Sequence, residues 1–232
     1  MNTKKIGPKT KVAISNSTTV YQNRILSPDS VASVIKEGKN NKKLGTTRIK
    51  KGPWKGLYIY SLTLVERETC PKSCIHWSDC YGNNLHLANR HTTNNLIPKL
   101  ESDLERIMGE RKNKKGIALR LHILGDFYSA EYVKFWESML LNYPKLRIFG
   151  FTARMPETTI GKQVRLINLR YSERCIVRFS ANKVSESLNS YAAEESFEGD
   201  NFVCPSTKEN NITCASCAAC WNSKKTVKFI TH

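Results

Sequence analysis

Between residues 117 and 180 the chain alternates so regularly that few architectures accommodate it. "IALRLHIL" (117–124), "LRIFGFT" (146–152) and "CIVRFS" (175–180) are apolar runs rich in β-branched and aromatic residues, as buried strands are. Between the first two, Tyr132, Val133, Trp136, Met139 and Leu140 recur at helical spacing. Ser129 supplies an N-cap hydroxyl, and the helix ends before Pro144. Residues 157–169 read as the next helix. Strand, helix, strand, helix, strand at this spacing winds a parallel sheet, since each helix returns the chain to the same end. The expected class is α/β, a partial (βα) barrel or a parallel sheet with helices.

Upstream, "LYIYSLTLV" (57–65) alternates as a strand does, and Leu96, Leu100, Leu104, Ile107 and Met108 predict a helix to about Arg111. "SPDSVASVIKEG" reads as a short helix capped by Ser or Asp, and "KTVKFI" as a terminal strand. A length of 232 residues suits one sizeable core with a small appendage. Three segments follow: a basic, partly flexible N-terminal arm (1–45), an α/β core (46–200), and a small C-terminal cysteine-rich metal subdomain (201–232).

The formal net charge is +17, and residues 1–56 hold only Asp29 and Glu37 against many Lys and Arg. Such an excess favours a polyanion, because phosphate contacts release counterions; nucleic acid is the expected partner. No run approaches the ~20 apolar residues of a membrane helix, and none resembles a signal peptide. No membrane association and a cytoplasmic location in a bacterial host cell are the expectations.

Eight cysteines without a secretion signal argue for metal rather than a disulfide framework. Seven are clustered, and Cys175 opens an apolar strand as a small hydrophobe. Cys214, Cys217 and Cys220 form Cys-x2-Cys-x2-Cys, and Cys204 precedes Pro205. Three close thiols and a remote Cys-Pro suit a 4Fe-4S cluster; a tetrahedral zinc could use the same four sulfurs. "ETCPKSCIHWSDCYG" gives Cys70, Cys74 and Cys80, three ligands without an obvious fourth unless His76 or His91 supplies it. Three thiolates on a cubane leave one iron open to a ligand.

That loop leaves the end of a strand, and ligands of parallel sheets gather beyond the carboxyl ends of their strands. The same rim carries Gly125, Asp126 and Ser129 after one strand, Arg154 after the next, and Ser180 after the third. These five are candidate cofactor-binding residues, with Asp126, Arg154 and His122 the candidate catalytic groups. The plain alternatives are helix caps at Asp126 and Ser129, a surface ion pair at Arg154, and a satisfied core histidine at His122, whose functional reading draws on Asp126 as a near partner.

Taken together, "NKKLG", "YIYSLTLVERETCPKSC", "RLHILGDFYSAEYVKFWESM", "FGFTAR" and "VCPSTKENNITCASCAACW" resemble the phage and mobile-element proteins of the gene product 88 family. The resemblance covers roughly residues 40 to 222 and implies a phage, prophage or conjugative-element origin, without an activity. The first cysteine loop is also similar to that of radical S-adenosylmethionine enzymes, whose Cys-x3-Cys-x2-Cys holds an open cluster. Here the second gap is three residues longer, and no Gly-Gly-Glu follows. Two function classes remain. One is an iron–sulfur enzyme, radical or redox, with one or two clusters and S-adenosylmethionine as a possible cosubstrate. The other is a nucleic-acid-binding protein with structural zinc or iron–sulfur sites.

Overall fold

The computed structural model describes residues 21–45, 48–77, 80–181, 190–193, 202–207 and 212–230. Ten strands and six helices are assigned among them. The strands are β1 (Ile25–Leu26), β2 (Lys36–Glu37), β3 (Tyr58–Ser61), β4 (Arg90–His91), β5 (Ile117–Leu121), β6 (Leu146–Thr152), β7 (Cys175–Ala181), β8 (Ser190–Ala193), β9 (Phe202–Val203) and β10 (Val227–Ile230). The helices are α1 (Glu66–Thr69), α2 (Leu96–Gly109), α3 (Ala130–Asn142), α4 (Thr159–Arg170), α5 (Cys214–Cys217) and α6 (Ala219–Asn222).

Eight strands form one sheet in the order β2-β3-β5-β6-β7-β8-β10-β9, and β1 pairs with β4 apart from it. From β3 through β9 every pairing is parallel, and β2 is an antiparallel edge. The α/β reading holds, and of its two forms the open parallel sheet is found. β2 and β9 are left as edges, so the sheet does not close into a barrel.

The order never reverses between β3 and β8, so the crossover helices fall on one face. Tyr60, Leu119, Leu121, Ile148 and Val177 point toward that face and bury against Leu100 and Leu104 of α2, Trp136 and Leu140 of α3, and Val164 of α4. The alternate positions Ile59, Ala118 and Phe149 point the other way. They pack with Leu44, Ile49, Trp54 and, from the C-terminal cysteine segment, Ala218 and Trp221. With both faces covered, all five residues of β5 are buried, Arg120 among them.

One expectation near the N-terminus is corrected. "SPDSVASVIKEG" is not a helix: Pro28–Ser30 makes one 3-10 turn, its Ser27 hydroxyl accepting from the Asp29 amide, and the chain then extends into β2. Extension lets the Val34 amide and the Ser33 hydroxyl bond Asp103 of α2, a tertiary preference that overrides the local signal. Within the expected arm, residues 21–45 are packed, with Tyr21, Val34, Ile35 and Leu44 buried. The first half of that arm lies outside the described residues. Among the described residues, no helix is long and apolar enough to cross a membrane.

Candidate functional site

The first cysteine loop is built at the carboxyl end of β3. Beyond that strand Leu64 donates its amide to Leu124 O (3.0 Å), and α1 carries the chain to Cys70. Thr69 is the anchor. Its hydroxyl donates to Val65 O (2.8 Å) and accepts from the Asp126 amide (3.1 Å), while its carbonyl accepts from Arg154 Nη2 (2.8 Å). Gly125 lies against the same point at φ 88°; a Cβ there would stand 2.7 Å from both Leu64 Cβ and Thr69 Oγ1.

Arg90 fastens the loop's other end. It is fully buried, pairs with Glu66 Oε2 at 2.9 Å, and donates to Gly82 O (2.9 Å), Ala88 O (2.7 Å) and Leu85 O (3.3 Å). Glu66 lies before Cys70 and Gly82 follows Cys80, so one guanidinium ties both flanks of the triad. Cys80 Sγ accepts from the Gly82 amide at 3.4 Å. Burial pushes the Cys70 thiol well up, reinforced by Asp126, Cys74, Cys80 and Glu66; burial likewise raises Cys80, to about 11. His91 is placed elsewhere: it is buried in β4, with Lys36 and Asp103 as its charged neighbours. His76 is half-buried within the loop itself.

The rim residues bind protein. Asp126 is buried and accepts from the Thr152 hydroxyl (2.7 Å), the Ala153 amide (2.8 Å) and the Phe127 amide (2.7 Å). Burial raises its pKa to about 6 against those hydrogen bonds and the Arg154 charge. Arg154 also donates Nε to Phe127 O at 2.8 Å. Both residues therefore clamp the cysteine loop to the ends of β5 and β6, and Arg154 makes no surface ion pair among the described contacts. Ser129 caps α3 by accepting the Tyr132 amide, and the Ser180 and Ser190 hydroxyls meet at 2.9 Å. His122 does not pair with Asp126. It turns into the helix-side core, where Nε2 is 3.1 Å from Tyr132 Oη and Phe127 meets its ring edge-on.

The second cysteine group lies across the opposite face of the sheet. Thr213 and Ser216 cap α5 reciprocally, and Ala218, at φ 62°, reverses the chain into α6. The turn docks by backbone bonds: the Cys214 amide to Lys43 O (2.8 Å) and the Ala215 amide to Leu44 O (3.1 Å). Cys204, Cys214, Cys217 and Cys220 then line one narrow cavity with Pro205 and Trp221. All eight cysteines are free thiols. Among the described residues, no three His, Cys, Asp or Glu side chains stand in the arrangement that holds a metal ion.

Cations converge on these four thiols. Arg120, buried in β5, points Nη1 at Cys214 Sγ (3.9 Å). Burial opposes its charge, and Cys214, Tyr81, Cys220 and Cys204 more than offset that when ionised, so its pKa is raised. Arg178, buried in β7, donates to Cys220 O (2.9 Å), Lys225 O (3.0 Å) and Ser223 O (2.5 Å). Lys43 sits over the Phe229 ring, with Cys204, Cys214 and Cys220 as electrostatic neighbours. Tyr81, the residue after Cys80, is a further electrostatic neighbour of Arg120.

A model of the gene product 88 family matches residues 33–225. The chain belongs to that family. Both cysteine groups, the Asp126–Arg154 clamp and the converging cations of this gene product 88 chain all fall within the matched span. No curated protein and no solved structure matches the chain.

Arg120, Arg178, Glu66, Arg90 and Thr69 do not figure among the sequence-derived candidates. For the first two a signal was present: each is a lone charge inside an apolar strand, "IALRL" and "CIVRF", on the face opposite the helices.

Proposed function

We propose that this gene product 88 chain is an iron–sulfur protein of a phage or mobile element. Cys204, Cys214, Cys217 and Cys220 would hold a closed cluster, and Cys70, Cys74 and Cys80 a second one with an open iron. One observation carries the reading: four cysteines, one of them ten residues from the next, line a single cavity faced by a buried arginine whose described partners include no carboxylate. A guanidinium buried without an anion costs several kcal/mol on an order-of-magnitude scale. Four thiolates around a metal centre supply that anion.

The donor set fits, since soft thiolates select iron–sulfur clusters or zinc. When bound with three thiolates, a cluster supplies an iron able to take and reduce a cosubstrate such as S-adenosylmethionine. Thr69, Asp126 and Arg154 hold the triad loop in place, and Arg90 with Glu66 fixes its ends. In this reading they are positioning residues.

Protein purified without oxygen is expected to be brown, to absorb near ~400 nm and to contain iron and sulfide. Colourless protein with stoichiometric zinc would overturn the proposal. Formation of 5′-deoxyadenosine from S-adenosylmethionine and a reductant identifies the radical form of the activity. The net charge of +17 favours a second reading, a nucleic-acid-binding protein with structural metal. Tight, salt-sensitive DNA or RNA binding without 5′-deoxyadenosine would select it.

A further inference from the structure

Cys217 is shared by two hollows. On one side it lines the four-thiol cavity. On the other it lines an open groove of about 510 Å³, together with Lys50, Lys51, Phe202, Pro205 and Ser216. Cys204, Cys214 and Cys220 do not line the groove, so Cys217 is the one of the four thiols that borders both hollows, beside Phe202, Pro205 and Ala219. The lining is cationic and apolar, and none of the described residues that form it is a carboxylate.

The lysines are held in place by the cysteine turn itself. The Lys50 amide donates to Ala215 O (2.8 Å), so the backbone of the pair moves with α5. At Gly52 the chain passes against Asn222 of α6, where an added Cβ would lie 3.3 Å from its side chain.

We propose that this groove docks an acidic one-electron carrier protein, with Cys217 as the edge through which an electron reaches the C-terminal centre. The inference rests on the iron–sulfur reading of that centre. The reduced carrier loses one electron and the centre gains one; no bond forms or breaks. Steering by lysines suits such a partner, because opposite charge raises the encounter rate while a small, partly apolar contact lets the complex part after transfer. Phe202 and Pro205 supply the apolar part.

The test uses the full chain purified without oxygen and a plant-type ferredoxin as probe. Binding to the oxidised protein is measured by calorimetry, and reduction by stopped-flow absorbance, at low and high salt. Added salt is expected to weaken both. The Lys50→Glu/Lys51→Glu variant should lose at least ~10-fold in affinity and in rate with ferredoxin. Its iron content and its reduction by dithionite should stay unchanged. The same charge change at exposed Lys114 and Lys115 should leave affinity and rate near those of the parent. Parent-like affinity and rate in the groove variant would overturn the docking surface, as would nucleic-acid binding lost in that variant without any ferredoxin binding. Iron-free protein would instead sink the underlying cluster reading, so the two failures are distinguishable.

Discussion

His122 joins two unusual features in one side chain. Its backbone sits at φ 58°, a region that costs a residue with a Cβ ~1–2 kcal/mol, and its ring is buried with Nδ1 unpartnered among the described residues. Burial lowers its pKa from 6.5 to about 3. Below pH 6.5 the unfolded chain takes up a proton that the folded His122 refuses, so this contribution to stability is complete above 6.5 and drains away as pH falls toward 3. His91, lowered to about 4, has the same sign. His122→Asn keeps a residue tolerant of positive φ and removes one titration. Urea unfolding at pH 7 and pH 5 should show the variant losing about 2 kcal/mol less than the parent on acidification. An unchanged pH dependence would place the lost stability in other groups. A histidine within an apolar run signals burial, and nothing in "RLHIL" discloses the sign of φ or the choice of Tyr132 over Asp126 as partner.

Among elements, the loop from α1 to β4 depends most on a single side chain. Removing the Arg90 guanidinium leaves Glu66 charged and buried, and the Gly82, Ala88 and Leu85 carbonyls each lose one donor. Arg90→Met is expected to cost roughly 3–5 kcal/mol in denaturant unfolding, and Glu66→Gln in the same chain to restore part of that. A cost below ~1 kcal/mol would mean that the loop holds its shape without this pair. Long elements were legible because periodicity is local: β5, β6, β7, α2, α3 and α4 all lie within a few residues of their expected bounds. The two-residue strands β1, β2, β4 and β9 were not legible. Each exists only through pairing with a distant segment, such as Ile25 with Arg90, and leaves no pattern in its own neighbourhood. That Cys204 shares a cavity with Cys214, Cys217 and Cys220 was legible from the cysteine pattern, whereas the salt bridge that secures the first cysteine loop joins residues 24 apart.

Across the whole molecule, the cysteine segment is the cover of one sheet face. Trp221 stacks on Trp54 at 5.3 Å and meets Phe149 at 4.5 Å, so the C-terminal turn and the sheet share one apolar cluster. Trp221→Ala should therefore lower stability by roughly 3–5 kcal/mol in denaturant unfolding. It should also loosen the four-thiol cavity, read as faster reaction of its cysteines with a thiol reagent. A variant with parent-like stability and thiol reactivity would show the cavity to be independent of the cluster. That the segment closes a face of the sheet follows from partners more than 60 residues away and could not be read from "CASCAACW" itself.

The floor under α5 and α6 is laid by Ile59, Ala118 and Phe149, and their cover arrives only with residues 214–221. On a ribosome, this compartment cannot exist until residue 221 has emerged. Folding is therefore ordered: the first cysteine loop can form on early-made β3, β5 and β6, while the four-sulfur pocket waits for residues 214–220. A prematurely terminated copy would lack it entirely.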